Sequence, residues 1–173
     1  YIWKRIFGYD LTKKHSYNPF GIPFFSQVDF PRALEANMSG VVWDISTNPI
    51  HKDKNKLEVI RRNIDLVMED LDKTSENFQF VRTYSDYQKA RKNNKVASFI
   101  SIQGGQAVDN DILNLDKIPE IHRITLIHFT KSKIGASNFD TKNKDIGLSD
   151  FGKSFVEKMV DKKIMVDLSH INK

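Results

Sequence analysis

The chain of 173 residues contains no cysteine. Disulfide bonds, thiolate metal ligands and a cysteine nucleophile are therefore excluded. No apolar run approaches the ~20 residues that a membrane-spanning helix needs, and no basic segment followed by an apolar one marks a secretory signal. These absences do not fix the compartment, for which the cytoplasm is our expectation.

The chain has little excess charge of either sign. Twenty-seven Lys and Arg residues stand against 22 Asp and Glu residues, a net charge of +5, and the lysines are interspersed with acids. This pattern is typical of a solvated surface rather than of a stripe that follows phosphates, so we expect no nucleic-acid partner. With 39% apolar and 28% charged residues, the composition is that of an ordinary globular protein.

Familiar catalytic and phosphate-binding motifs are also missing. The eight glycines include one adjacent pair, Gly104-Gly105, which lacks the G-x-G-x-x-G spacing and the lysine of a phosphate loop. A tight turn is the structure we expect there. Neither a G-x-S-x-G elbow nor an H-E-x-x-H zinc motif occurs in the chain.

What the chain does contain is an alternation of predicted strands and helices. Apolar runs predict five strands, at residues 41–46, 77–82, 96–102, 124–129 and 164–168. Between them, apolar residues recur at helical spacing in 57–71 and 149–163. In the second segment Ser149 can cap the helix, and one face is shared by Phe151, Phe155, Val156, Met159 and Val160. A short helix that Ser85-Asp86 can cap is predicted for 85–93. Because the predicted strands are continuously apolar, we expect them to be buried on both faces of a parallel sheet flanked by helices, an α/β fold.

Each predicted strand has a polar residue at its C-terminal end: Ser46, Arg82, Gln103, His128 and the pair Ser169-His170. In a parallel α/β sheet or barrel all these ends lie on one rim, where ligands bind. Strands must exit to solvent somewhere, and polar residues at such exits explain Ser46 and Arg82. They explain two histidines less well, so we favour a functional role for His128 and His170 together.

Asp167 lies just before this rim, inside the fifth predicted strand. It either orients His170 or the backbone, or forms a hydrogen bond on the helix side of the sheet. The structural role is the one we favour.

Segments in a fixed order make the chain recognisable. Residues 124–128 (ITLIH), 147–152 (GLSDFG) and 165–170 (MVDLSH) follow one another, and 27–32 (QVDFPR) and 102–105 (IQGG) precede them. Their order and spacing resemble the LTLTH, GLTxFG, DLSH, QVDLPR and IEGG segments of the membrane dipeptidase (renal dipeptidase-like) family. The resemblance covers nearly the whole chain.

This resemblance implies a zinc-dependent peptidase on a (β/α)8 TIM-type barrel, cleaving small peptides. Such barrels need ~250 residues or more, so the chain would hold roughly the first five strands with their helices. We therefore expect residues 1–173 to form a single incomplete barrel domain, truncated at both ends. The family's His-x-Asp ligand pair would precede Tyr1, and its catalytic Asp would follow Lys173, which leaves no catalytic residue within the chain. Alone, the chain is expected to be inactive.

The resemblance also implies roles for three rim residues. His170 stands at the position of a metal ligand, and His128 stands at the position of the substrate-contacting histidine. Gln103 stands where the family has a glutamate that bridges two metals. A carboxamide has one good acceptor oxygen and no charge, so a bridge between two zinc ions is in doubt, and one or two ions remain open.

Two functions from different classes follow. The first is a metal-dependent dipeptidase. The second is a non-catalytic or mononuclear barrel that binds a small peptide or amide ligand, which the substitution at Gln103 motivates. A third hypothesis is a generic α/β domain in which the ordered motifs coincide by chance. The sequence indicates no oligomeric state.

Overall fold

Helices and strands alternate in the computed structural model, which describes residues 8–15, 28–46, 55–130, 132–142 and 146–172. The helices are α1 (Phe30–Glu35), α2 (Lys56–Lys73), α3 (Tyr84–Lys92) and α4 (Asp150–Asp161). The strands are β1 (Gly40–Ser46), β2 (Phe78–Phe80), β3 (Val96–Gln103), β4 (Ile121–Thr125) and β5 (Met165–Asp167). Two 3-10 turns, Gly105–Ala107 and Ile112–Lys117, follow β3.

The strands form one five-stranded sheet with the order β1-β3-β4-β5, and β2 also pairs with β3. β3 pairs in parallel with both β2 and β4, and β4 pairs in parallel with β5. The predicted α/β fold class is thereby confirmed, in a form consistent with part of a TIM-type barrel. No helix within the described ranges is long and apolar enough to cross a membrane.

The chain divides into two compact units. The first comprises Tyr1–Trp43 and Asp65–Phe99, and the second comprises Asp44–Ile64 and Ile100–Lys173. In the first unit the rings of Trp43 and Phe78 lie 4.9 and 4.5 Å from the ring of Phe30. This aromatic cluster packs the N-terminal end of α1 against β1 and β2.

The second unit has its own aliphatic core. Isoleucines of β3 and β4, among them Ile100, Ile102 and Ile124, are fully buried, and so are Phe155 and Met159 of α4. The periodicity predicted this helix face correctly for Phe155 and Met159. For Val160 the prediction was wrong, because that side chain is 62% exposed.

At the start of α4, Gly152 lies in close contact with the loop after β4. The Ser149 hydroxyl caps the helix by accepting a hydrogen bond from the Gly152 amide at 2.9 Å, as predicted. A Cβ on Gly152 would lie 1.9 Å from the carbonyl oxygen of Ile134. The loop after β4 can therefore approach α4 only because this residue has no side chain.

Some predicted boundaries were wrong. The cap of α3 is Thr83, which forms a reciprocal capping box with Asp86, rather than Ser85 with Asp86. β4 begins at Ile121 and ends at Thr125, whereas the apolar run had predicted residues 124–129. Leu126 and Ile127 are fully buried without belonging to the strand, which explains why hydrophobicity alone extended it too far.

We expect Phe155→Ala to lower the free energy of unfolding of the intact protein by about 3–5 kcal/mol, because it opens a cavity in a fully buried site. Val160→Ala, five residues further along the same helix and 62% exposed, is the matched control and should change it by less than about 0.5 kcal/mol. Urea denaturation measures both. Equal effects of the two substitutions would show that the buried face of α4 is misassigned.

Candidate functional site

One face of the sheet is polar where the strands end. Register pairs Gln103 of β3 with Thr125 of β4, and Thr125 with Asp167 of β5. Two residues earlier, Ser101 pairs with Arg123. Paired residues of parallel strands point to the same face, and side chains alternate along a strand. These five residues therefore share a face, opposite Ile102 and Ile124.

A charged layer ties three strands together on this face. The Arg123 guanidinium lies 3.5 Å from a carboxylate oxygen of Asp44 in β1 and 3.8 Å from one of Asp167 in β5. Ser101 of β3 donates its hydroxyl to Asp44. β3 is buried along nearly its whole length, as predicted for a parallel strand, but these side chains show that the strands are not apolar on this face.

Asp167 extends this layer to the loop that carries His170. Its Oδ2 accepts the Thr125 hydroxyl at 2.8 Å, and its Oδ1 accepts both the amide and the hydroxyl of Ser169, at 2.9 and 2.7 Å. Burial raises the pKa of Asp167, but the hydrogen bonds from Ser169 and Thr125 and the charge of Arg123 together bring it below its ordinary value. Asp167 thus holds the backbone beside His170, one of the two roles that the sequence left open.

His128 lies three residues beyond the end of β4, not inside a strand as predicted. It is 9% exposed, and its backbone is hydrogen-bonded on both sides by the side chain of Gln106. Burial, and then the nearby charge of His170, lower the pKa of His128 below its usual value, against the opposing effect of Asp44. At neutral pH the ring is therefore a neutral imidazole.

His170 lies three residues beyond the end of β5 and in a left-handed conformation, with φ +66°. Its ring centroid is 5.0 Å from that of His128, with the rings edge to face at 74°. The structure thus brings together the two histidines that the sequence singled out. Gln103, at the end of β3, lies on the polar face of the same sheet by its register. Its relation to the two histidines rests on this strand position.

Two phenylalanines surround the histidine pair. The ring of Phe129 lies 4.0 Å from His128 and 4.9 Å from His170, and Phe139 lies 5.0 Å from Phe129. Both phenylalanines are about half exposed and line a cavity of about 540 Å³ formed by the loop after β4. Neither histidine lines this cavity, but Phe129, which does, has its ring against both of theirs.

Sequence reasoning missed four residues of this region: Asp44, Gln106, Arg123 and Thr125. Three of them carried a signal, since polar residues at 44 and 46 and at 123 and 125, like those at 101 and 103, repeat with the period of a strand. Gln106 carried none, because its contact with His128 joins segments 22 residues apart.

The described residues fit part of a metal site. His170 and the neutral His128 are the kind of imidazole donor that zinc accepts, whereas the Gln103 carboxamide is a weak, uncharged donor. Across the described ranges, no three His, Cys, Asp or Glu side chains lie together in a way that could hold a metal ion. A complete coordination shell would need ligands from beyond these residues.

Comparison with known proteins identifies the family. The sequence model of the membrane dipeptidases, Peptidase family M19, matches residues 15–173. The chain belongs to this family of metallopeptidases.

Solved structures share the fold. A probable dipeptidase PvdM from Pseudomonas aeruginosa has a TM-score of 0.71 and 18% identity, over 91% of this chain and 43% of that one. A metallo peptidase from Rhodobacter sphaeroides, liganded with a phosphinate mimic of the dipeptide L-Ala-D-Ala, has a TM-score of 0.69 and 18% identity, over 84% and 50%. An amidohydrolase from Pseudomonas aeruginosa has a TM-score of 0.66 and 22% identity, over 81% and 42%. The chain thus matches half or less of the length of these proteins.

We expect Asp167→Asn to lower the free energy of unfolding by about 1–3 kcal/mol near neutral pH, because the carboxylate accepts three hydrogen bonds. Asp161→Asn, at the exposed end of α4, is the control and should have little effect. Since the folded-state pKa of Asp167 is lowered, its contribution is present above about pH 4 and is lost as the pH falls. The gap between wild type and Asp167→Asn in urea denaturation should therefore close in acid, and a gap that persists there would contradict this account.

Proposed function

We propose that the intact protein is a metal-dependent dipeptidase in which this chain supplies the substrate-contacting His128 and the metal ligand His170. The observation that carries the proposal is the 5.0 Å separation of the two rings, at the C-terminal ends of neighbouring parallel strands. In parallel α/β proteins this is the rim where ligands bind. Membership of the membrane dipeptidase family gives the reaction class.

The substrate in this proposal is a small peptide. Its support is the Rhodobacter sphaeroides relative, whose ligand mimics the dipeptide L-Ala-D-Ala. Buried and neutral, His128 has one ring nitrogen that donates a hydrogen bond. Such a donor would hold the scissile carbonyl and stabilise the negative charge that develops on its oxygen.

The cofactor in this proposal is zinc, held in part by an imidazole nitrogen of His170. A bound zinc ion supplies Lewis acidity toward the peptide carbonyl and toward water. The chain's own contribution is to orient that ligand: Asp167 fixes the amide of Ser169, the residue next to His170, by a hydrogen bond of 2.9 Å. Groups that fix a metal-binding histidine in this way typically alter metal affinity when they are removed.

The two histidines should be separable by mutation of the intact protein. We expect His170→Ala to lower the zinc content measured by elemental analysis, because it removes a ligand. His128→Ala should leave the zinc content unchanged and lower the turnover of L-Ala-D-Ala by roughly 10²-fold or more, as the loss of an oxyanion donor does. Equal loss of metal in both variants would contradict the division of roles.

A second candidate function rests on Gln103. Gln103, at the end of β3, is a neutral carboxamide, whereas the resemblance implies a bridging carboxylate at this position of the sequence. A single carboxamide oxygen does not hold two cations, so this observation favours a mononuclear or non-catalytic barrel that binds a small peptide or amide. Two tightly bound zinc ions in the purified intact protein would exclude this alternative, and their absence would favour it.

Gln103→Glu tests the same point directly. If the Gln103 carboxamide limits the number of zinc ions that bind, the added carboxylate should raise the zinc stoichiometry of the intact protein and raise any dipeptidase activity. Zinc titration followed by elemental analysis measures the first effect, and hydrolysis of L-Ala-D-Ala measures the second. A wild-type protein that already holds two zinc ions would show that Gln103 does not limit the site.

A further inference from the structure

Both polar atoms of the Gln106 side chain bind the backbone of His128. Its Nε2 donates to the carbonyl oxygen of His128 at 2.8 Å, and its Oε1 accepts the amide of His128 at 3.2 Å. Gln106 is 5% exposed, so neither bond competes with bulk water. A primary amide offers a donor and an acceptor side by side in this way, whatever the pH.

We propose that Gln106 is a positioning residue for His128, an inference that rests on the substrate-binding role proposed for that histidine. Gln106 does not reach the substrate in this scheme, because its donor and its acceptor are both directed at a backbone. It acts by fixing the peptide from which the His128 ring projects.

The need for such a residue comes from the turn that follows His128. Phe129 has φ +57°, a left-handed conformation that bulky residues rarely adopt, and the Thr130 amide donates to the His128 carbonyl at 2.7 Å. Such conformations persist only where the surroundings over-determine them. Gln106 provides that restraint, since it binds the same carbonyl and the amide on the other side of His128.

The glycine pair before Gln106 makes the contact possible. Gly104 has φ +108°, and a Cβ there would lie 2.5 Å from the Nε2 atom of Gln106. A Cβ on Gly105 would lie 2.8 Å from the carbonyl oxygen of Leu126, two residues before His128. The expected tight turn at Gly104-Gly105 therefore has a further consequence, which is to bring the segment after β3 against the segment after β4.

Gln106 is itself held from the other side. The ammonium group of Lys56 donates to the Gln106 backbone carbonyl at 2.9 Å and lies 3.9 Å from Asp109. Asp109 in turn accepts the Ser132 hydroxyl and the Lys133 amide, at 3.0 and 2.8 Å. The backbone that carries the Gln106 side chain is thus held by Lys56, and through Asp109 it is linked to the loop after β4.

The test compares Gln106→Met with Asn114→Leu in the intact protein. Asn114 is a matched control, because it is 6% exposed and its amide donates to the Val108 carbonyl at 3.2 Å, not to His128. Both substitutions should lower the melting temperature. Only Gln106→Met should lower kcat/KM for L-Ala-D-Ala, by roughly 10-fold to 100-fold, because a small misplacement of a substrate-contacting group has effects of that size. Equal kinetic losses in the two variants would overturn the inference.

A double-mutant cycle separates positioning from general destabilisation. If Gln106 acts through His128, then Gln106→Met should reduce kcat/KM no further in a His128→Ala background. Losses that multiply independently would overturn the inference. If Gln106→Met does not fold, Gln106→Glu, which retains the volume and loses the donor when the carboxyl is ionised, enters the same cycle at a pH above the pKa of that carboxyl.

A spectroscopic measurement distinguishes failure of this inference from failure of the proposed function. His128→Ala identifies the ring resonances of His128 in an NMR spectrum of the intact protein. These resonances should move in Gln106→Met and stay in place in Asn114→Leu. A protein that cleaves no dipeptide would refute the proposed function, and this comparison would still decide whether Gln106 positions His128, because unmoved resonances would overturn it.

Discussion

The ion pairs of Arg123 are the interaction on which the rim of the sheet depends. Its guanidinium contacts carboxylates from two other strands, Asp44 of β1 and Asp167 of β5. All three side chains are partly buried, so removal of Arg123 would leave two partly buried carboxylates without the counter-charge that they share. The strands must therefore keep the register that aligns these groups. In consequence the polar face presents a fixed set of groups to whatever binds beyond the strand ends.

The two histidines are held to this frame by different means. His170 follows a turn that Asp167 fixes through Ser169, so its position derives from the charged layer. His128 depends instead on the Gln106 amide, which comes from the segment after β3. Both lie beyond regular strand structure, where hydrogen bonds of the sheet no longer set the backbone. Side-chain to backbone bonds replace them, and this replacement is what places the rings 5.0 Å apart.

Part of this arrangement was predictable from the chain. The helical period of apolar residues predicted α2 and α4, because a helix must bury one face whatever its neighbours are. The meeting of His128 and His170 followed from one rule, that parallel strands end on the same rim. The predicted end of β4 was wrong because Leu126 and Ile127 are buried outside the strand, and hydrophobicity records burial rather than hydrogen bonding. Arg123 was missed because the predicted strand began at residue 124, whereas β4 begins at Ile121 and contains Arg123.

The sequence by itself determined the α/β class, the buried faces of the long helices, and the candidate histidines with the family they resemble. These features depend on local periodicity and on residues in order along the chain. Only the tertiary structure decided that Arg123 joins Asp44 to Asp167, and that Gln106 binds the backbone of His128. Those contacts join residues 22 to 79 positions apart by sequence number. Their partners are selected by strand register and by the close approach that Gly104 and Gly105 allow, neither of which leaves a local pattern in the chain.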